Sequence, residues 1–443
     1  MKSSQKISPS RAARTLVFSA LIWLALVAVP VSAEDGSSNS GQNPAGVDEN
    51  GNATFIQGTM APTEPATQVQ SDLAVKENLL KLHGFKDWDD WKKRVQEKTG
   101  LQFSVDYTAQ GYWANENKLG EDDAGSGALR FYGRWDVMGK GTDTAGGIVF
   151  KIENRHSYTD VAVSDFGGEL GYVGAVSPLL SAQGTRITHL HWRKAFNKGK
   201  SVYYAGWLDF TDYTDAYALA SPWEDFSNLV FITGSGTIDG YPDGSLGVMG
   251  ATFLSEHVYG SASIVDANSD PTDLFSGFET FFGDFETLKT LEIGYTQMPE
   301  LVFLNNVHVT VWQIDERTQA EQPNGWGATF SISGLVGSRW FPFLRAGWSK
   351  DGGTLYEGSV STGFGFKPAR GVGFWGIGLN WARPNENTFG AELNDQYTLE
   401  TYFRLQLTQR FQLTPSIQYL KNPAANPLQS SLFVFGLRAR AAF

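Results

Sequence analysis

The sequence predicts an all-β chain, a 16-stranded antiparallel transmembrane β-barrel of outer-membrane type with a short N-terminal helix. Three observations carry that expectation. Segments of period-two alternation follow one another from Leu101 to Phe443. Aromatics make up 14% of the chain and glycines number 49, while charged residues are only 19%, below the roughly 25% of ordinary soluble domains. The segment from Ser430 to Phe443 is wholly apolar on one face: Phe433, Phe435, Leu437, Ala439, Ala441 and Phe443 alternate with Gly436, Arg438 and Arg440. Successive side chains on a strand point to opposite faces, so this strand offers one face to lipid and two arginines to water. Bacterial outer-membrane barrels end in such a strand with a terminal aromatic, which their assembly machinery reads.

The elements follow in order. Lys2, Lys6, Arg11 and Arg14 precede an apolar run from about Leu16 to Val29, and Val31-Ser32-Ala33 supplies small residues. A basic region, a short apolar stretch and a small-residue exit describe a secretory leader over residues 1–33. The run is shorter than the roughly 20 residues of a spanning helix. Export is the expectation, to the outer membrane of a Gram-negative cell. Residues 34–75, rich in Gly, Ser, Asn, Pro and Thr, read as a flexible periplasmic segment. Within 76–100 a short amphipathic helix is expected. Trp88, Trp91 and Val95 recur at spacings of three and four, with acids early and Lys98 late, the charge order that complements a helix dipole. It would serve as a plug, a cap, or simple packing against the barrel base. Residues 101–443 form the barrel, in sixteen segments from 101–113 to 430–443, separated by turns such as Asp351-Gly352-Gly353. A barrel of that strand number encloses an aqueous channel.

Composition excludes several functions. Loss of the leader removes four basic residues and no acidic ones, leaving 31 Lys plus Arg against 47 Asp plus Glu, a net charge of −16. No basic excess exists to neutralise a nucleic acid. With no cysteine there is no disulfide, thiol nucleophile or thiolate metal site. Asp266-Ala267-Asn268-Ser269-Asp270 has the start of a calcium loop, but Pro271 and Gly277 stand where Gly and Glu are needed, so calcium near Asp266 is left open. His189 and His191 share a strand face without a third ligand. No G-x-S-x-G elbow presents a nucleophile. No cofactor, metal or catalytic activity is expected.

Alternation assigns the channel face. Charges at bilayer mid-depth cost about 2–4 kcal/mol on the lipid side, so the polar faces should line water. Sugars are bound by planar hydrogen-bonding groups and by aromatic bodies with polar tips. The candidates are Arg130, Tyr132, Arg134, Asp136, Tyr203, Trp207, Asp209, Glu400, Tyr402, Arg404, Arg438 and Arg440. The bland reading is a wall whose charges pair simply to stay solvated.

Several stretches carry a family resemblance. They are Gly199-Lys200 through Trp207-Leu208-Asp209, Asp212-Tyr213-Thr214-Asp215, Ala218-Leu219-Ala220-Ser221-Pro222-Trp223 and Phe226-Ser227-Asn228. To these add the hairpin Glu400 to Gln418 and Gly436-Leu437-Arg438-Ala439-Arg440. Together and in order the chain resembles the carbohydrate-selective porins of the OprB family over most of residues 88–443. The resemblance implies a 16-stranded barrel with a narrowed pore for passive passage of glucose and related small sugars. It also implies that Arg404, Arg438, Arg440, Asp209 and Glu400 line the constriction. One departure is Trp207, where the family pattern leads one to expect Lys. The polar stretch around Asp212–Asp243 is a candidate for a loop folding into the pore. Alternatives are a general or anion-preferring diffusion porin, or a structural or adhesive barrel. The expected partners are small sugars, outer-membrane lipid and the assembly machinery. Association into a homotrimer is left open by the sequence.

Overall fold

The computed structural model describes residues 61–81, 84–238, 241–299, 301–368 and 372–443. The leader and residues 34–60 lie outside the described residues. Two helices precede the barrel, α1 (Pro65–Leu73) and α2 (Lys86–Thr99). Strands β1 (Leu101–Ala114), β2 (Asp123–Met138), β3 (Gly146–Ser157), β4 (Gly184–Phe196) and β5 (Ser201–Leu208) follow. Next come β6 (Ser245–Phe253), β7 (Val258–Asp266), β8 (Thr287–Thr296), β9 (Asn306–Ile314), β10 (Gly325–Ser333) and β11 (Trp340–Asp351). The last are β12 (Tyr356–Phe366), β13 (Gly373–Pro384), β14 (Gln396–Gln406), β15 (Phe411–Lys421) and β16 (Ser431–Ala442).

Each strand pairs with its sequence neighbours, and β1 pairs antiparallel with β16 from Asp106↔Ala442 to Ala114↔Val434, closing the barrel. Closure leaves no edge, so the ladder hydrogen bonds of every strand are made within the wall, which lipid requires. Each of the sixteen expected segments is a strand. Some ends move for local reasons. β5 stops at Leu208 because the Asp209 carboxylate accepts a hydrogen bond from the Thr211 amide (3.1 Å) and starts a 3₁₀ turn, Phe210–Asp212.

The outer wall is a band of aliphatic side chains, among them Leu129, Leu344, Val360, Leu379 and Ile417, between two aromatic girdles. At one rim Trp113 stacks on Phe435 (5.4 Å) and Trp326 meets Trp348 (4.8 Å). At the other, Trp340 packs on Phe366 (4.4 Å). Amphipathic rings of this kind settle at the two membrane surfaces. The rim carrying the mostly short turns is the periplasmic one in barrels of this architecture.

Helix α2 sits at that periplasmic rim, outside the lumen. Trp88 and Trp91 meet the outward-facing Phe103 edge-on at 6.4 and 5.9 Å, Lys92 lies over the same ring, and Asp89 pairs with Arg410. Gly100 adopts the left-handed conformation that ends the helix.

The interior differs most from expectation. Sixteen strands imply an open aqueous lumen, yet the inward side chains are buried almost without exception. Two long loops and α1 fill the space. Segment 158–183 packs on the inner wall of β1, β2, β15 and β16 through Val163, Phe166, Leu170 and Val176. Segment 209–244 lies along β5–β9 through Phe210, Tyr213 and Ile238, and along β11–β14 through Tyr217, Phe226 and Phe231. Two wall glycines make room for it. A Cβ on Gly347 would meet Thr237 Oγ1 at 2.0 Å, and one on Gly378 would meet Phe231 Cε1 at 2.7 Å. Of the segment expected to be flexible, residues 65–73 are instead the α1 helix inside the barrel.

Candidate functional site in the barrel interior

The densest polar constellation is built where β14, β16, β1 and β2 face the middle of segment 209–244. Arg440 is its hub. Nε donates to Asp106 (2.7 Å), Nη1 to Glu224 (2.6 Å), and Nη2 to Asp72 (2.8 Å) and the Tyr132 hydroxyl (2.9 Å). Arg130 donates through Nε to Asp106 (2.8 Å) and stacks over the Trp223 ring at 3.6 Å. Arg404 reaches Glu224 (3.1 Å) and Asp225 (3.0 Å), and Tyr402 donates to Asp225 (2.9 Å). Arg438 holds the loop backbone by donating to the carbonyls of Pro222 (2.6 Å) and Asp225 (2.8 Å). Glu400 accepts the amides of Ser227 and Asn228, both at 2.9 Å. Charge-assisted bonds of this kind are the strong ones. Six expected residues therefore converge on one stretch of loop, 222–228, and a seventh, Tyr132, joins them through Arg440.

Almost all of these groups are shut away from water. The exceptions are Arg404 and Glu224, whose side chains keep 22% and 17% exposure. Burial pushes the Glu224 carboxyl up, but Arg440, Lys76 and Arg404 outweigh it and hold the group at about 2.

The remaining five candidates sit elsewhere. Arg134 and Asp136 face inward and pair with each other (2.9 Å) nearer the periplasmic rim. Asp209 caps the turn after β5. Burial, then the neighbouring Asp212, raises its carboxyl to about 7. Tyr203 and Trp207 must be corrected: both lie on the outer face. Tyr203 is exposed there. Trp207 stands opposite the outward Leu190 and is covered by the β7–β8 connection, since a Cβ on Gly277 would meet its ring at 2.4 Å. The rule of polar inside and apolar outside misleads here because the inner face of β5 is itself apolar. Val202, Tyr204 and Leu208 pack against the infolded loop.

Sequence reasoning missed a second buried cluster. Asp215, in the loop, pairs with Arg345 of β11 and accepts from His308 Nε2 (3.0 Å), Thr329 Oγ1 (3.0 Å) and the Gly234 amide (2.5 Å). It also missed Asp106 and Asp72. Parity could have found Asp106, flanked at i±2 by Ser104 and Thr108, and Arg345. Nothing local marks Asp72, and Asp215 stands out only within the Asp212–Asp215 stretch of the resemblance, with no sign of its partners, which lie far along the chain. His189 donates through Nε2 to the Asp212 carboxylate (2.8 Å), and His191 donates through Nδ1 to the Trp207 carbonyl (3.1 Å). The Asp266 carboxylate is taken up by Asn268, Ser269 and Thr280. Among the described residues no three His, Asp or Glu side chains converge as a metal set.

A closed antiparallel barrel with an apolar, girdled outer wall and an inner wall of paired charges is the fold of a porin-type membrane channel. Residues 305–443 match the carbohydrate-selective porin, OprB family, a region that holds β9 to β16 with Glu400, Tyr402, Arg404, Arg438 and Arg440. The chain is similar in fold to Pseudomonas putida OprB in its high-pH structure, at 14% identity over 84% of this chain and 100% of that one, with a TM-score of 0.64. The low-pH structure of the same protein matches at 10% identity over 84% and 100%, TM-score 0.48. A mutant of Rh. blastica porin matches at 12% identity over 77% and 100%, TM-score 0.46. The fold comparison rests on the first of these. No curated protein matches the sequence.

Proposed function

We propose that the protein is a carbohydrate porin of the outer membrane, passing small neutral sugars such as glucose by passive diffusion after export through its leader. The observation that carries this reading is the pairing of the inner charges. Arg130, Arg404 and Arg440 are each matched by Asp106, Glu224, Asp225 or Asp72. A matched wall offers donors and acceptors to hydroxyls without a net field, which suits a neutral polyol better than an anion. The family match over β9–β16 supports the same substrate class. Arg404 of the wall and Glu224 of the infolded loop, the members still open to water, are where a sugar would touch the lining. Assembly through the C-terminal strand and association into trimers belong to the same proposal.

Liposome swelling tests it, with glucose, a disaccharide and a charged solute of glucose size. Glucose entry faster than that of the charged solute is expected, and the Arg404→Ala/Arg440→Ala variant should lose the preference. Equal entry of all small solutes would leave a general pore. No entry through folded protein would remove the channel reading.

A further inference from the structure

The periplasmic mouth is crossed by a strap of the chain's own N-terminal region. Its first described residue, Ala61, is buried against Ala216 of the long loop and Leu301 and Phe303 of the β8–β9 connection. It runs as α1 across the inner face of β1 and β2, and leaves at the β14–β15 turn, where the Leu79 and Leu80 amides donate to the carbonyls of Gln406 (3.0 Å) and Leu407 (2.7 Å). The described segment is thus tied at two turns of the periplasmic rim, on different sides of the barrel. The strap's Asp72 is one of the three carboxylates on Arg440, and Arg440 in turn holds Glu224, one of the two groups of this constellation still open to water.

How the strap is held differs from how the loops are held. Segments 158–183 and 209–244 bury large aromatic and aliphatic side chains in extended clusters. Within α1 the buried apolar residues are only Pro65, Ala66 and Val69. Its other anchors are polar. Asp72 takes bonds from Arg440, Ser104 (2.9 Å) and Tyr132, and Gln68 accepts from Arg130 (3.4 Å). Past the helix, Gln409 accepts from the Lys76 amide (3.1 Å) and donates to the Ala74 carbonyl (2.6 Å). These anchors are buried bonds, but they join polar groups that water can satisfy once the strap leaves, which buried aromatic and aliphatic side chains cannot do. The β-ladder does not depend on these bonds.

We propose that this strap, residues 61–81, is a displaceable stopper: seated, it closes the periplasmic half of the lumen, and released from Asp72 and Gln409 it opens the sugar path past Arg404 and Glu224. This rests on the channel reading above and adds its regulation.

The chain has no cysteine, so a single Val69→Cys in the full-length protein gives a clean probe of the strap. Val69 is fully buried when the strap is seated. The experiment follows modification of that thiol by a charged, membrane-impermeant methanethiosulfonate, alongside glucose flux into liposomes. Both are repeated with Asp72→Ala, and with Gln68→Ala/Gln409→Ala in case the first variant fails to fold. Release should speed labelling at least tenfold and raise flux several-fold, with the barrel still heat-modifiable on gels. A protected thiol and unchanged, measurable flux in every variant would overturn the stopper and leave the porin intact. Fast labelling with no flux in any variant would overturn both, because a freed lumen that passes nothing is not a channel.

Discussion

Arg440→Met is the substitution that most directly probes the interior. The guanidinium is buried and makes four bonds of 2.6–2.9 Å, to Asp106, Glu224, Asp72 and Tyr132. A hydrogen bond to a charged group contributes about 1.5–3 kcal/mol, but four on one guanidinium are not independent and their sum overstates the effect. Removing one partner of a buried ion pair typically costs about 3–5 kcal/mol, because the opposite charge is left behind. Here Arg130 stays on Asp106 and Arg404 stays on Glu224, so the lower end applies, about 3 kcal/mol, or roughly a hundredfold in the unfolding constant. Methionine nearly conserves volume, so the loss is electrostatic and not a cavity. The assay is reversible denaturant unfolding in lipid vesicles, followed by tryptophan fluorescence. Asp72→Asn should rescue part of the loss, giving a coupling of at least about 1 kcal/mol with Arg440→Met in a double-mutant cycle. Stability within about 0.5 kcal/mol of the parent, or strict additivity with Asp72→Asn, would refute a buried hub.

Two further outcomes follow from the same geometry. Gly347→Ala places a methyl 2.0 Å from Thr237 Oγ1 and 2.9 Å from the Gly234 carbonyl. Overpacking of this size costs about 1–3 kcal/mol, and limited proteolysis should show earlier cleavage within 209–244 while the barrel stays intact. Glu224 is held at about 2 against an ordinary 4.5. A depressed carboxylate adds stability above its unfolded value and loses it as pH falls through the folded one. The unfolding midpoint should therefore drop between about pH 4.5 and 2, and Glu224→Gln should flatten that part of the profile; an unchanged slope would remove Glu224 from the network.

The wall was legible because its physics is local. A strand facing lipid and water must alternate, and Phe433, Phe435 and Leu437 against Gly436, Arg438 and Arg440 display the rule without any partner in view. The inner site was half legible for the same reason. Arg130, Tyr132, Glu400, Tyr402, Arg404, Arg438 and Arg440 face inward by parity and gather around Arg440 and the loop stretch 222–228, whereas parity failed at Tyr203 and Trp207, where an infolded loop gives β5 an apolar inner face. Of the filling, the infolded loop around Asp212–Asp243 was expected and is found inside the barrel, whereas segment 158–183, α1 and the partners that fix them were not legible. Asp72, Glu224 and Asp215 lie in segments without period, and the residues that fix them (Arg440, Arg404, Arg345) are brought near only by barrel closure.

The division of labour between wall and filling explains how one chain can be both stable and permeable. The wall closes on its own ladder from β1 to β16, so its hydrogen bonds survive any rearrangement inside. The long loops are fixed by apolar clusters and by glycines such as Gly347 and Gly378 that let them approach, which makes them lasting parts of the filling. The α1 strap has neither device, only a few small apolar contacts and buried polar anchors, whose groups water can satisfy once the strap has left. Among the three fillings it is the one whose departure exposes the least apolar surface, and it lies at the rim where departure leads straight into solvent. If the channel has a closed state, the energetics place the moving part there and not in the loops.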